Sequence, residues 1–392
     1  MTAEQGLNVY LVGGAIRDEL LGLTPRERDW VVVGATAEDM LERGFKPVGK
    51  DFPVFLHPRT GEEYALARKE RKLGHGYTGF VCEFDPGVTL EEDLLRRDLT
   101  INAIAKDAHG NLIDPYGGQA DLQNRLIRHV SPAFIEDPLR ILRVARFSAR
   151  LDAFGFVVDQ GTLRMMQTLS AGTELDHLAA ERVWQEIHSA LESAAPQRFF
   201  LTLHECGALV KLMPELAHAV ELEIAGNRVS AADTRSFTAL RCAAEVSGDT
   251  LIRFGALIHP LEENAWRRLS ARLKMPAKWK RFDDLVVDHL PELHQLGCQQ
   301  QADIVDWIYR VDGYRQPERL AGLLEVAEIL IRSASERAAE NFANQLPLVR
   351  SIFSATHGLS SADLSEKNLR GPDIGRALYK LRCDVAETLS SV

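Results

Sequence analysis

The chain has 392 residues, 45% of them hydrophobic and 26% charged, with a formal net charge of −10. That length exceeds one compact core and predicts two to four domains, while the acidic balance excludes a protein that coats nucleic acid indiscriminately by neutralising phosphate. No apolar run reaches membrane-spanning length and no apolar signal core opens the chain, so neither span nor leader is expected. Its five cysteines (Cys82, Cys206, Cys242, Cys298, Cys383) form no C-x-x-C pair, which argues against a zinc site or a disulfide framework and fits a reducing compartment. A basic stripe on an acidic body stays compatible with specific RNA binding.

The first element is the apolar run Val9–Tyr10–Leu11–Val12, which ends in Gly13 and Gly14 and leads into an amphipathic stretch. Paired glycines let the backbone approach a ligand, and a helix opening there offers its N-terminus to phosphate. After a turn, Glu27 and Asp29 introduce a second apolar run, Trp30–Val31–Val32–Val33. Residues i and i+2 of a strand share a face, so these two carboxylates stand side by side. A cation relieves their repulsion, and Mg2+ with its all-oxygen shell suits the pair. Phosphates beside such a pair make a two-metal nucleotidyl-transfer site. A structural strand–GG–helix unit with a solvated acidic loop edge satisfies the same residues, and on physics alone both readings stand.

From Val9 to about Ile113, short β-rich runs alternate with helical ones; Val31–Val33, Glu63–Ala67 and the shorter Pro53–Leu56 read as strands. Arg68, Lys69, Arg71 and Lys72 lead into Gly74–His75–Gly76–Tyr77–Thr78–Gly79, which reads as a mobile loop. Within Arg96–Ala103, Asp98 and Asn102 are four apart, the spacing of one helical face on which both reach a single hydroxyl. Asp114–Leu122 reads as a Gly-Gly turn with Asp121 as a helix cap. In Glu136–Asp137–Pro138–Leu139–Arg140, Pro138 suits a first helical turn and Asp137 its N-cap, and Asp137 and Arg140 project from one face.

Beyond Pro138 strand signals nearly vanish, and 3.6-period patterns such as Ile141–Leu142–Val144–Ala145–Phe147 predict a helical remainder. Arg143, Arg146 and Arg150 continue the first of these helices, and Glu181–Arg182 with Glu186 reads as a buried polar support. Two basic segments are candidate RNA-backbone contacts: Arg267, Arg268, Arg272, Lys274, Lys278, Trp279, Lys280 and Arg281, then Gly371–Arg376 with Lys380 and Arg382.

Residues 8 to 190 resemble the class II tRNA nucleotidyltransferases, the CCA-adding enzymes, which share a polymerase-β-like head with bacterial poly(A) polymerases. Leu11-Val12-Gly13-Gly14-Ala15-Ile16-Arg17-Asp18-Glu19-Leu20-Leu21-Gly22 follows LVGGxxRDxLLG, and Arg96–Ala103 follows R-R-D-x-T-I-N-A. Glu27-Arg28-Asp29 follows D-x-D, departing by one methylene at Glu27. Gly49–Phe55 has the G-x-D-F-P-V-F form of CCA-adding enzymes, where proteobacterial poly(A) polymerases tend to carry G-R-R-F.

The resemblance implies an α+β fold. A polymerase-β-like nucleotidyltransferase head with a small mixed sheet would occupy residues 1–137, followed by an all-α neck (138–225) carrying a nucleotide-template helix. A body (226–315) with a degenerate HD-like region and a tRNA-contacting tail (316–392) would complete it. The implied reaction is template-independent addition and repair of the tRNA 3′-terminal CCA from CTP and ATP, releasing pyrophosphate, in the cytoplasm and without membrane or DNA partners. Glu27, Asp29 and Glu63, the last selected by its spacing to Arg68, would be the catalytic carboxylates and the Mg2+ ligands. Gly13, Gly14 and Arg17 would hold the triphosphate, and Arg97, Asp98 and Asn102 the ribose end.

Asp137 and Arg140 would read the base, with Glu136 orienting the guanidinium and Arg143 following on the same helix. Cytosine and adenine share an amino donor beside a ring-nitrogen acceptor, which a carboxylate and a guanidinium complement; uracil and guanine present the reverse. The full-length glycine-rich loop implies that addition of the final A is intact. His259–Pro260 stands where an HD phosphohydrolase would have His-Asp, so no such metal site is expected. A poly(A) polymerase would share every head motif, and a non-catalytic RNA-binding protein on a decayed head would have lost metal or template residues.

Overall fold

In the computed structural model, which describes residues 3–25, 27–48, 54–72, 80–293, 301–334, 345–365 and 369–389, the chain divides into two compact units. One comprises Met1–Ala190 and Arg198–Leu212, the other Leu191–Gln197 and Met213–Val392. The glycine-rich loop at 74–79 and the start of the Gly49–Phe55 segment lie outside the described residues. Among the described residues no helix is long and apolar enough to cross a membrane.

The first unit is built on a seven-stranded mixed sheet. Its strands in chain order are β1 (Asn8–Val12), β2 (Asp29–Val33), β3 (Lys46–Val48), β4 (Val54–Leu56) and β5 (Glu63–Leu66), while β6 (Lys69–Lys72) and β7 (Phe80–Glu83) form a separate hairpin. The two-residue strands β8 (Ala105–Lys106) and β9 (Leu112–Ile113) complete the sheet, in the order β3-β4-β5-β2-β1-β8-β9. Among the described residues of this sheet, only β2 and β5 pair in parallel.

The valines of β2 run on without polar alternation because both faces are covered. Val31 packs with Val12, Val88 and Leu94 on one side, and Val32 with Met40, Phe45 and Phe55 on the other. Covering these faces are α2 (Ala37–Glu42) and α3 (Leu90–Leu95), which follow α1 (Gly14–Leu20) in the chain; Thr36 with Asp39 and Thr89 with Glu92 close reciprocal capping boxes at their starts. Strands of two to four residues such as β3, β6 and β8 carry too few positions for a period, and the sequence pattern misses them.

After α4 (Gly118–Asn124) and the short β10 (Leu126–Ile127), the unit turns helical. Its helices are α5 (Leu139–Leu151), α6 (Gln160–Ala171), α7 (Ala180–Leu191), α8 (Gln197–Glu205) and α9 (Leu209–Leu212), with β11 (Val157–Val158) pairing parallel to β10. An added Cβ at Gly118 would stand 2.2 Å from the Thr100 carbonyl, so the Gly-Gly turn is a close-packing requirement.

The second unit is helical throughout its described residues: α10 (Pro214–Asn227), α11 (Arg235–Val246), α12 (Thr250–Ile258), α13 (Glu263–Leu273), α14 (Ala277–His289), α15 (Gln301–Arg310), α16 (Pro317–Ser333), α17 (Gln345–His357) and α18 (Pro372–Glu387). Here two sequence expectations need correcting. Trp279 is buried edge-on to Phe254 at 5.9 Å, so it is a core aromatic and offers no stacking platform, and Arg272 is spent on a two-pronged pair with Glu215. Arg382, grouped with the C-terminal basic residues, is also buried; it lies 3.8 Å over the Tyr314 ring and donates to the Thr356 and Leu359 carbonyls.

Asp283 in α14 is fully buried, and neither carboxylate oxygen has a hydrogen-bond partner among the described residues. Burial first, and the Asp284 charge second, push its carboxyl well above the usual range. A carboxyl kept neutral by the fold costs stability as pH rises from the unfolded value near 3.9 towards the folded one. Asp283→Asn is therefore expected to raise Tm at pH 7 by roughly 2–8 °C, the shift produced by about 1–2 kcal/mol in a unit of this size, and to change little near pH 4. Calorimetry across that range checks it; an equal shift at both pH values would show that Asp283 titration contributes nothing.

Candidate active site

β1 leads directly into Gly13, whose φ of 75° favours glycine, and α1 starts at the next residue. An added Cβ at Gly13 would stand 2.9 Å from Arg97 Nη1, so this guanidinium packs directly on the bare backbone. Asp29, the first residue of β2, pairs in register with Val12 on one side and with Glu63 on the other. In-register parallel neighbours share a sheet face, so Asp29 and Glu63 project together, with Glu27 two residues earlier. The adjacent Glu62 accepts from Trp30 Nε1 at 3.2 Å and Thr60 Oγ1 at 3.2 Å.

Two clefts meet at this point. One, of about 550 Å3, is lined by Gly13, Gly14, Glu27, Asp29, Asp98, Asn102, Asp137 and eight arginines. The other, of about 530 Å3, is lined by Thr24, Arg28, Thr60, Glu62 and Glu63 as well as Glu27 and Asp29. Glu27 and Asp29 thus belong to both, and Glu63 to the second alone. Asp29 keeps an exposed edge, yet the cleft walls withdraw enough water to raise its carboxyl; Arg97 pulls it down and Glu27 pushes it up. An oxygen-only donor pair in which dehydration and the neighbouring Glu27 charge disfavour the Asp29 anion fits a hard divalent cation. Among the described residues no three such side chains converge on one point, so Glu27 and Asp29 form the pair and Glu63 stands one strand over.

Arg96–Asn102 is not the α-helix that the four-residue spacing predicts. It is a bend followed by a 3-10 turn at Thr100–Asn102. Asp98 and Asn102 still meet, because Asn102 Nδ2 donates to Asp98 Oδ1 at 3.0 Å. Leu99 N–H donates to the same oxygen at 2.8 Å, and Arg143 Nε donates to Asp98 Oδ2 at 2.7 Å. Burial opposes the Asp98 anion, but the Arg143 charge and the hydrogen bonds from Asn102, Arg143 and Leu99 hold its carboxyl far below the usual range. Arg97 donates to the buried Asp93 at 3.3 Å and to the Asn102 carbonyl at 3.4 Å.

At the start of α5, Asp137 Oδ1 accepts from Leu139 N–H at 3.0 Å, the capping role its position predicts. One oxygen is used there, and Asp137 also lines the first cleft. The expectation for Glu136 fails. It ends a 3-10 turn, Pro132–Glu136, so the spacing to Arg140 does not run along one helix. Arg140 is oriented by two carbonyls instead: Nη1 donates to Ala133 at 3.2 Å and Nη2 to Arg96 at 2.7 Å. Further along α5, Arg146 Nε donates to Glu186 at 2.6 Å, so Glu186 is a brace, whereas its motif partner Arg182 is on the cleft wall.

Arg96, Arg146, Phe147, Arg150 and Arg182 are thus cleft residues to which the sequence reading assigned no ligand role. The recurrence of Arg140, Arg143, Phe147 and Arg150 at helical spacing was the available signal. Eight arginines against Glu27, Asp29, Asp98 and Asp137 make the cleft strongly positive in a chain of net charge −10, which focuses a polyanionic ligand there.

Residues 9–128 match the family described as poly A polymerase head domain, and residues 155–220 the family described as probable RNA and SrmB-binding site of polymerase A. The multifunctional CCA protein of Xanthomonas campestris pv. campestris (strain B100) is 45% identical, covering 96% of this chain and 97% of its own. The CCA-adding enzyme of Pseudomonas putida (strain W619) is 43% identical over the same shares. A solved CCA-adding enzyme in complex with ATP superposes with a TM-score of 0.70 over 99% of this chain and 89% of that one; at 22% identity, this likeness speaks for the fold.

Proposed function

We propose, for a chain that belongs to the CCA-adding enzyme family, template-independent addition and repair of the tRNA 3′-terminal CCA from CTP and ATP. The tRNA 3′-hydroxyl attacks the α-phosphate in line and pyrophosphate leaves. Glu27 and Asp29 would hold divalent metal, with Glu63 one strand over as the third carboxylate, and Mg2+ suits these all-oxygen donors; when bound, it would supply charge stabilisation to the attacking and leaving oxygens. Gly13, Gly14 and Arg17 bind the triphosphate, and Arg97, Asp98 and Asn102 receive the ribose end.

Asp137 accepts from the exocyclic amino group with the oxygen its cap leaves over, while Arg140 donates to the ring nitrogen. The attacking strand enters along the Glu63 side, since the nucleotide occupies the arginine side of the carboxylate pair. We place the reaction in the cytoplasm, where tRNA, CTP and ATP meet and where cysteines without a pairing motif stay reduced.

The observation that supports this reading best is a single cleft with a carboxylate pair, a lining of arginines and the Asp137/Arg140 pair. A tRNA ending before CCA, incubated with CTP alone, should gain two cytidines and stop; adding ATP should complete it with one adenosine. Failure to use CTP, with continued extension by ATP, would identify a poly(A) polymerase instead.

A further inference from the structure

Six side chains of the first unit close a ring that begins and ends on one helix. Arg150 Nη2 donates to Asp18 Oδ2 at 2.8 Å. Asp18 Oδ1 accepts from Arg17 Nε at 3.0 Å and Nη2 at 2.8 Å, and Arg17 Nη1 donates to Asn102 Oδ1 at 2.6 Å. Asn102 then donates to Asp98, and Arg143 closes the ring onto Asp98. Arg143 and Arg150 are two turns apart on α5, hence on one face, and Phe147 between them lies 4.9 Å under the Arg17 guanidinium. Five of the six line the first cleft. Asp18, 4% exposed, does not.

The side-chain amide of Asn102 has the same shape in either orientation, so its partners decide which end faces Asp98. Arg17 can only donate. It therefore draws the amide oxygen to itself and turns the amino group onto Asp98. Arg17 is itself 2% exposed, and a buried guanidinium stays charged and in place only beside a compensating anion. Asp18 is that anion, held from its other side by Arg150.

We propose that Asp18 is a positioning residue for ribose selection: by fixing Arg17 it sets the Asn102 amide and the Asp98 carboxylate in the orientation that recognises a 2′-hydroxyl. The proposal rests on the reading of Asp98 and Asn102 as the ribose contacts. It predicts that a residue outside the cleft controls sugar choice without touching base choice, because the Asp137/Arg140 pair is anchored independently by the Ala133 and Arg96 carbonyls.

The test compares kcat/KM for CTP, dCTP and UTP on tRNA ending before CCA, with folding followed by circular dichroism and thermal melting. Asp18→Asn should lower the CTP-over-dCTP ratio about tenfold and leave the CTP-over-UTP ratio within about twofold; Asp18→Glu, which keeps the anion, should recover part of the loss. In the double variant with Asn102→Ala, Asp18→Asn should add nothing further to the sugar ratio.

If Asn102→Ala leaves sugar selectivity intact, the ribose reading itself is wrong and the proposal goes with it. If Asn102→Ala lowers selectivity and folded Asp18→Asn does not, the positioning role alone is overturned. An equal fall in both ratios makes Asp18 a general structural residue and also overturns it. Should Asp18→Asn not fold, Arg150→Met strains the ring from its other end and must lower the sugar ratio in the same direction; an unchanged ratio there overturns the proposal.

Discussion

Asp29→Ala is expected to reduce nucleotide transfer by about a thousandfold or more, with binding of the tRNA body retained. Asp29 opens β2 between Val12 and Glu63 and lines both clefts, so its removal leaves Glu27 as the one carboxylate of the pair that spans them. A divalent ion that loses an anionic ligand loses several kcal/mol of transition-state stabilisation, and each ~1.4 kcal/mol is a factor of ten in rate. Asp29→Asn should fall nearly as far, because shape is kept and charge is lost. Glu27→Asp should be mild or neutral, since it shortens the side chain to the form the family motif carries, whereas Glu27→Ala should be severe. Single-turnover incorporation of CTP measures all four variants. Near-normal activity in Glu27→Ala would remove Glu27 from the metal-binding pair.

Base choice should collapse when either half of the template pair is removed. Each charge-assisted hydrogen bond lost in a desolvated site is worth about 1.5–3 kcal/mol, or roughly ten- to more than a hundredfold in discrimination. Asp137→Ala and Arg140→Ala should therefore bind CTP and ATP more weakly and admit UTP, while the triphosphate contacts sustain residual transfer. Both also carry a structural cost. Asp137 caps α5, worth about 1 kcal/mol, and Arg140 satisfies the Ala133 and Arg96 carbonyls, which are left without their donor. The readout must accordingly be the ratio between nucleotides, measured with all four one at a time. Wild-type ratios at a uniformly lower rate would reduce these residues to a helix cap and a buried staple.

Local chemistry was legible in the residues themselves. The glycine pair after an apolar run, the i, i+2 carboxylates entering β2 and the Asp137–Pro138 helix start each depend on a few neighbouring positions, and the structure has each where the pattern puts it. The helical period after Pro138 likewise announces α5 and its successors, because burying one face requires apolar residues at that spacing.

Only the tertiary structure decided which polar partner each side chain takes. Spacing gave Glu136 to Arg140 and a helix to Asp98 and Asn102, yet backbone carbonyls hold Arg140, one of them 44 positions away at Arg96, and a 3-10 turn folds Asn102 onto Asp98. Composition made Trp279 and Arg382 surface contacts; packing buried both. Asp18 and Arg150 are 132 positions apart, and no periodicity joins them. A pattern reports which face of an element is apolar and therefore inward. It carries no record of which donor from another element will meet a buried acceptor, since that pairing exists only once the elements have closed on each other and excluded the water that would otherwise serve.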